Sequence, residues 1–303
     1  MVRRIASGLL LAAAVVTNGP ALAQEKIKVV ATFSILGDLV KNVAGDRASV
    51  QTLVGADGDA HVYAPSPADA RTLTEAKVIF ANGLGFEGWI TRLVKASGTK
   101  ATVVTAARGV KPRRTAGAHS HGDSHAHSEA DPHAWQAVSN AKIYVANIRD
   151  GLTQADPDGR AVYESNASAY LARLDVLEQE VREAVARIPP ERRRIITTHD
   201  AFGYFNAAYG IDFVAPQGVS TESEASARDV ARIITQIKKL KVPAVFLENV
   251  SDSRLIKRIA DETGAKIGGT LYSDALTAES GPAPTYIEMM RHNIRTLAEA
   301  LMS

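Results

Sequence analysis

The 303-residue chain contains no cysteine. No disulfide can brace it, so its stability must come from a packed core alone, and a free, soluble product without a lipid-bearing cysteine is the expectation. Net charge is lacking too: without Arg3 and Arg4, which belong to the leader described below, 33 Lys and Arg face 33 Asp and Glu. A general nucleic-acid binder would carry a clustered basic excess, so that class is set aside. No segment beyond the leader offers the ~20 apolar residues of a membrane span. There is no His-Glu-x-x-His run, and no repeat of residues relates the two halves of the chain.

What is present starts with a leader. Arg3 and Arg4 precede an apolar stretch from Ile5 to Val16, and Ala21-Leu22-Ala23 offers a small-residue cleavage site. Residues 1–23 therefore read as a secretory signal peptide, with the mature chain starting at Gln24. Together with the missing cysteine this points to a bacterial periplasm. About 280 mature residues can bury a sizeable core and commonly form two domains.

Strand and helix alternate along both halves. Apolar runs at 26–33, 50–54, 77–81 and 102–105 read as strands, with helices near 35–44, 65–75 (Ser66 as cap) and 87–96 between them. The second half repeats the alternation, with strands at 194–197, 212–215, 244–247 and 266–268. Helices at 201–209, 227–240, 253–263 and 284–302 separate or follow them. That rhythm is the signature of an α/β fold, in which mostly parallel sheets are flanked by helices. Residues 108–131 break it as a polar loop. A helix at 136–152 follows, then a longer one at 157–187 whose stripe of Leu171, Leu174, Leu177, Val181, Val185 and Ile188 predicts one buried face. Pro189-Pro190 stops it.

Four residues stand at strand ends or loop-helix junctions: His61, His133, His199 and Asp274, spaced 72, 66 and 75 residues apart. A lone histidine is weak evidence for a metal site, but such spacing lets distant loops converge on one ion. Three imidazoles and one carboxylate form a tetrahedral set suited to Zn2+, with bonds of ~2.0 to 2.2 Å. Imidazole also suits copper, nickel and iron, so ligand type alone leaves the metal open. Within the polar loop His119, His121, His125 and His127 crowd together with Asp123 and Glu129. This is a low-complexity metal-binding tract. Lacking fixed geometry, it should bind more weakly than a buried site and serve to collect zinc or receive it from a partner.

Several motifs occur together: His-x-Tyr-x-Pro-x-Pro at His61 to Pro67, Asp131-Pro132-His133-Ala134-Trp135, Thr198-His199-Asp200-Ala201-Phe202, Phe246-Leu247-Glu248 and Leu271-Tyr272-Ser273-Asp274. In this order, across essentially the whole mature chain, they resemble the solute-binding proteins of zinc and manganese ABC transporters (cluster A-I). The resemblance implies two α/β lobes joined by one long backbone helix, with the metal buried between them. On this chain that means an N-terminal lobe at 24–155, a linking helix at 156–189 and a C-terminal lobe at 190–303. It assigns His61, His133, His199 and Asp274 as ligands and Glu248 as the carboxylate behind a ligand histidine. Manganese members resemble a pattern with glutamate at the third position, so His199 implies the zinc branch. Asp131 and Asp200 are alternative carboxylate partners. Trp135 and Tyr63 are expected to pack and exclude water, and Glu222 and Glu224 to cap the helix that follows.

The function implied is that of a monomeric, non-enzymatic protein that captures Zn2+ and delivers it to an ABC permease with its ATPase. A periplasmic zinc metallochaperone is a further partner to consider. The alternatives are manganese or iron capture, or a secreted zinc hydrolase in which Asp200 or Glu248 activates water. Catalytic zinc keeps an open coordination position, which a fourth protein ligand would fill.

Overall fold

The computed structural model describes residues 25–114, 130–240 and 242–302. The signal-peptide segment and the four histidines at 119–127 lie outside them.

The first half builds β1 (Ile27–Phe33), α1 (Ser34–Ala44), β2 (Ala48–Val54), α2 (Pro67–Glu75), β3 (Val78–Ala81), α3 (Ile90–Ser97) and β4 (Thr102–Thr105). After α4 (Val138–Ala155) and a 3-10 turn at Pro157–Gly159 comes α5 (Arg160–Arg187). The second half follows with β5 (Arg194–Ile196), α6 (Gly203–Tyr209), β6 (Asp212–Val214), α7 (Ala227–Leu240), β7 (Ala244–Glu248), α8 (Ser253–Thr263), β8 (Lys266–Leu271) and α9 (Tyr286–Met302). The strands form two four-stranded parallel sheets, ordered β2-β1-β3-β4 and β6-β5-β7-β8. The expected α/β class, with two helix-flanked sheets and one long helix between them, is what the chain adopts.

The long helix runs 28 residues, or roughly 42 Å. Its buried stripe is Tyr163, Ala167, Tyr170, Leu174, Leu177, Val181 and Val185. It lies against α1 and α4 from the first half and α9 from the second. Ile188 is already extended, because the proline that follows disfavours helical backbone at the residue before it.

Local chemistry explains most boundaries, and distant contacts explain the exceptions. Helix α2 starts on a reciprocal capping box, Ser66 with Asp69. Helix α3 begins at Ile90 rather than 87 because the Glu87 carboxylate is withdrawn into a buried network described below. Strand β8 runs past 268 to Leu271 despite Gly268 and Gly269: a Cβ on Gly268 would stand 2.6 Å from the Phe246 ring, so the glycine permits close packing rather than a turn. Helix α7 is capped by Ser226, whose hydroxyl accepts from Asp229 N at 3.1 Å. Glu222 and Glu224 are exposed and do not cap it, a correction to the expectation. Helix α9 starts at Tyr286, where Asp38 of α1 accepts the Tyr286 N–H at 2.9 Å.

Candidate metal centre

All four singled-out residues lie in loops that follow strands, the usual place for ligands in parallel α/β sheets. His61 lies between β2 and α2, His133 between β4 and α4, His199 after β5, and Asp274 after β8. One ligand atom from each lies within 4.8 Å of the others, and all four residues are buried.

His61 Nε2 is 3.3 Å from both His133 Nε2 and Asp274 Oδ2. His199 Nε2 is 3.1 Å from Asp274 Oδ2, and His133 Nε2 is 3.5 Å from Asp274 Oδ1. A tetrahedral ion with bonds near 2.05 Å separates its donors by roughly 3.3 Å, so these spacings suit one. Asp274 Oδ1 is fully buried yet has no hydrogen-bond donor. Buried polar atoms rarely remain so, and a cation held among the four groups would satisfy it.

Each ligand position is fixed from behind. Asp131 Oδ1 accepts from the backbone N–H of His133 and lies 2.9 Å from its ring Nδ1. A carboxylate there favours the tautomer with the proton on Nδ1, leaving the Nε2 lone pair to face the cage. Pro132 O accepts from Asn82 Nδ2 at 2.9 Å, and Asn82 Oδ1 accepts from Tyr144 at 2.6 Å. The buried Glu87 carboxylate in turn holds Asn82 N, Gly83 N and the Thr32 hydroxyl.

Behind His199, Glu248 Oε1 accepts the N–H of Thr198 and of His199 at 2.6 and 3.0 Å. Its Oε2 lies 2.6 Å from His199 Nδ1, an ion-pair contact off the line of a directed hydrogen bond. Asp274 is held from the first half: Ser273 O accepts from Trp135 Nε1 at 3.0 Å and Gln136 Nε2 at 2.7 Å. Asn293 adds two hydrogen bonds to the backbone of Tyr272. His61 receives its amide anchor from Asp59 Oδ1 at 2.9 Å, and its ring meets Phe86 edge-on at 4.6 Å.

Both Glu248 and Asp131 thus stand beside ligand-position histidines, whereas Asp200 makes no direct contact with either ring. Its amide donates to Gly218 O instead. Trp135 is fully buried against the His133 ring. Tyr63 packs on Trp89 and donates to Asp69, away from the cage. Asn82, Glu87, Gln136 and Asn293 had no signal in the sequence, because each acts on a backbone group that only the fold brings near.

Buried carboxylates set the charge of the neighbouring histidines. Burial opposes charge on His133, but Asp274 and Asp131 outweigh it and raise its pKa to about 9. His199 is likewise pushed well up: burial opposes, and Glu248 and Asp274 prevail. Asp274 is held well below the usual carboxylate range, because His133 and His199 overcome its desolvation. Burial, with Asp131 nearby, raises Asp200.

The family profile described as zinc-uptake complex component A, periplasmic, matches residues 29–300. The chain belongs to this family, the substrate-binding proteins of metal ABC transporters. It is similar to the manganese-binding lipoprotein MntA of Halalkalibacterium halodurans, 37% identical over 277 residues that cover 91% of this chain and 89% of that one. The iron-binding protein YfeA of Yersinia pestis is 35% identical over 294 residues, covering 97% and 92%. Among solved structures, the periplasmic zinc binding protein TroA of Treponema pallidum matches with a TM-score of 0.84 at 32% identity, covering 91% of this chain and 99% of that one. Family members bind substrate for a permease and an ATPase rather than catalyse a reaction. Their names divide among manganese, iron and zinc, and several carry the word lipoprotein.

Proposed function

We propose that the protein captures Zn2+ with His61, His133, His199 and Asp274 and delivers it to an ABC permease and its ATPase. The observation that carries the choice of zinc is the donor set, three imidazoles to one carboxylate, with donor spacings of 3.1 to 3.5 Å about Asp274. Manganese favours oxygen-rich, octahedral sites, and imidazole nitrogen moves the preference toward zinc. Glu248 and Asp131 orient the two histidines in front of them. A hydrolase reading gains nothing from this arrangement, since a carboxylate stands where attacking water would have to bind.

The absence of cysteine supports a periplasmic protein without a lipid anchor, and the chain acts as a monomer. His119, His121, His125 and His127 collect zinc weakly or receive it from a periplasmic metallochaperone.

The test is the metal the protein carries and the metal its loss makes limiting. Protein purified from its own periplasm without added metal should hold one equivalent of zinc. A deletion strain in metal-depleted medium should regain growth with zinc and not with manganese or iron. Manganese in the protein and rescue by manganese alone would move the assignment to manganese capture. The mass of the mature protein tests the lipid-free form.

A further inference from the structure

Of the four cage residues only His61 retains any side-chain exposure, 4% against none for the other three. The His61 edge is therefore the shortest way in and out for an ion. That edge is crossed by a polar bridge. Asp59 Oδ1 accepts the amide of His61 at 2.9 Å, while Asp59 Oδ2 accepts the hydroxyl of Thr221 at 2.6 Å. Thr221 lies in the segment between β6 and α7, and the same segment is tied to the flanks of His199. Gln217 N donates to Thr198 O at 3.2 Å, and Asp200 N donates to Gly218 O at 3.1 Å.

The segment 217–221 thus links the backbone on either side of His199 to Asp59 and, through it, to the amide of His61. It joins the two segments that an ion between His61 and His199 would also join. We propose that Asp59 and Thr221 form a clasp that sets how fast the cage exchanges its metal, with Asp59 as a positioning residue for His61. The inference rests on the four-residue site put forward above.

The turn before His61 is shaped to deliver this carboxylate. Asp57 adopts a left-handed backbone with φ of 53°, which aspartate tolerates better than most residues. Gly58 leaves no room for a side chain, since a Cβ would stand 2.8 Å from Val54 Cγ1. A second bridge beside the first, Asn249 Nδ2 to Asp57 Oδ1 at 3.1 Å, is exposed, so water competes for both partners. The Thr221–Asp59 bond is half-buried and, at 2.6 Å, shorter, which makes it the stronger of the two. For an ion to leave, His61 must swing away from His199, and the clasp resists that motion whether or not the ion is bound.

The experiment compares the parent with Thr221→Val, Thr221→Ser, Asp59→Ala and the double variant Asp59→Ala with Thr221→Val. Each is loaded with Zn2+, and release to excess chelator is followed by stopped flow. Thr221→Val keeps the shape and loses the hydroxyl, so release should quicken by about tenfold, the scale of one hydrogen bond to a charged group. Thr221→Ser should release at the parent rate. The double variant should release no faster than Asp59→Ala alone, because the two residues act as one unit. Release from Thr221→Val at the parent rate, or additive effects in the double variant, would overturn the clasp while leaving the metal site standing. A parent that binds no stoichiometric zinc would overturn both.

Discussion

In the first half of the molecule the sheet residues Val29, Val30, Val78, Ile79 and Phe80 all belong to one apolar core that continues through α5 and α9 into the second half. In the second half the sheet is divided. Ile195 and Phe246 face that shared core, while Ile196 and Val245, one residue along on the opposite face, enter a separate cluster with Val230, Ile233 and Ile237 of α7 and Ile256 and Ile259 of α8. Period-two alternation of a strand makes this possible. The anchoring of the ligand positions also differs. His61 and His133 are held by their own half, through Asp59, Asp131 and Asn82. The carbonyl of Ser273, beside Asp274, accepts from Trp135 and Gln136 of the first half. The loop that carries Asp274 is thus held from both halves, by Trp135 and Gln136 of the first and Asn293 of the second, whereas the α7–α8 layer packs in a cluster of its own.

The largest effect is expected at the proposed ligands. His133→Ala and His199→Ala, one from each half, should each lower zinc affinity by more than about a thousandfold, beyond the 10- to 100-fold typical of outer partners. Calorimetry showing either variant binding as tightly as the parent would break the equivalence of the halves.

Core truncations come next and separate the two clusters. Phe86→Ala should lose about 3–5 kcal/mol of stability, and Ile233→Ala about 2–5 kcal/mol. Only the first should weaken metal binding, because Phe86 packs edge-on against His61 and His133. Paired denaturation and zinc titrations check this, and weakened binding in Ile233→Ala would show that the α7–α8 layer does reach the cage.

Replacing the carboxylates behind the histidines should cost about 10- to 100-fold in affinity. Glu248→Gln should cost more than Asp131→Asn, since Glu248 holds two backbone amides as well as the ring. Chelator competition ranks them, and the reverse order would place the more demanding support in the first half.

The smallest effect is one of pH on the metal-free protein. His133 has a folded-state value raised to about 9 from a reference of ~6.5. Its contribution to stability is therefore complete below the reference value and is lost as pH rises through about 9. Unfolding temperature should fall on the order of a few degrees between pH 6.5 and 9.5. A His133→Ala variant should show a shallower decline. Zinc uptake near pH 7 should release protons, detectable as a calorimetric heat that varies with the ionisation enthalpy of the buffer.

Much of the fold was legible because it is written in local periodicity. Strand Thr102–Thr105 and helices Ala227–Leu240 and Ser253–Thr263 have the bounds that apolar spacing and capping residues imply. The misses share one cause. Glu87 reads as a helix start but serves a buried network. Gly268 and Gly269 read as a strand end but allow Phe246 to approach. The start of α9 is set by an aspartate 248 residues away. In each case a distant partner outweighed the local preference.

For the site, that His61, His133, His199 and Asp274 would come together could be read from residue type and surrounding motif, because donor chemistry belongs to the side chain itself. Which carboxylate stands behind which histidine could not. Asp131 and Asp200 are each close in sequence to a histidine, yet only Asp131 turns its oxygen onto the ring, and Glu248 reaches His199 from a strand 49 residues on. The distances among the four donors, the support of Asp274 by the opposite half and the Asp59–Thr221 bridge were likewise decided by tertiary structure alone. The physical reason is that composition and periodicity specify which face of an element is buried, whereas the orientation of a side chain in a cleft depends on how two separately built sheets dock.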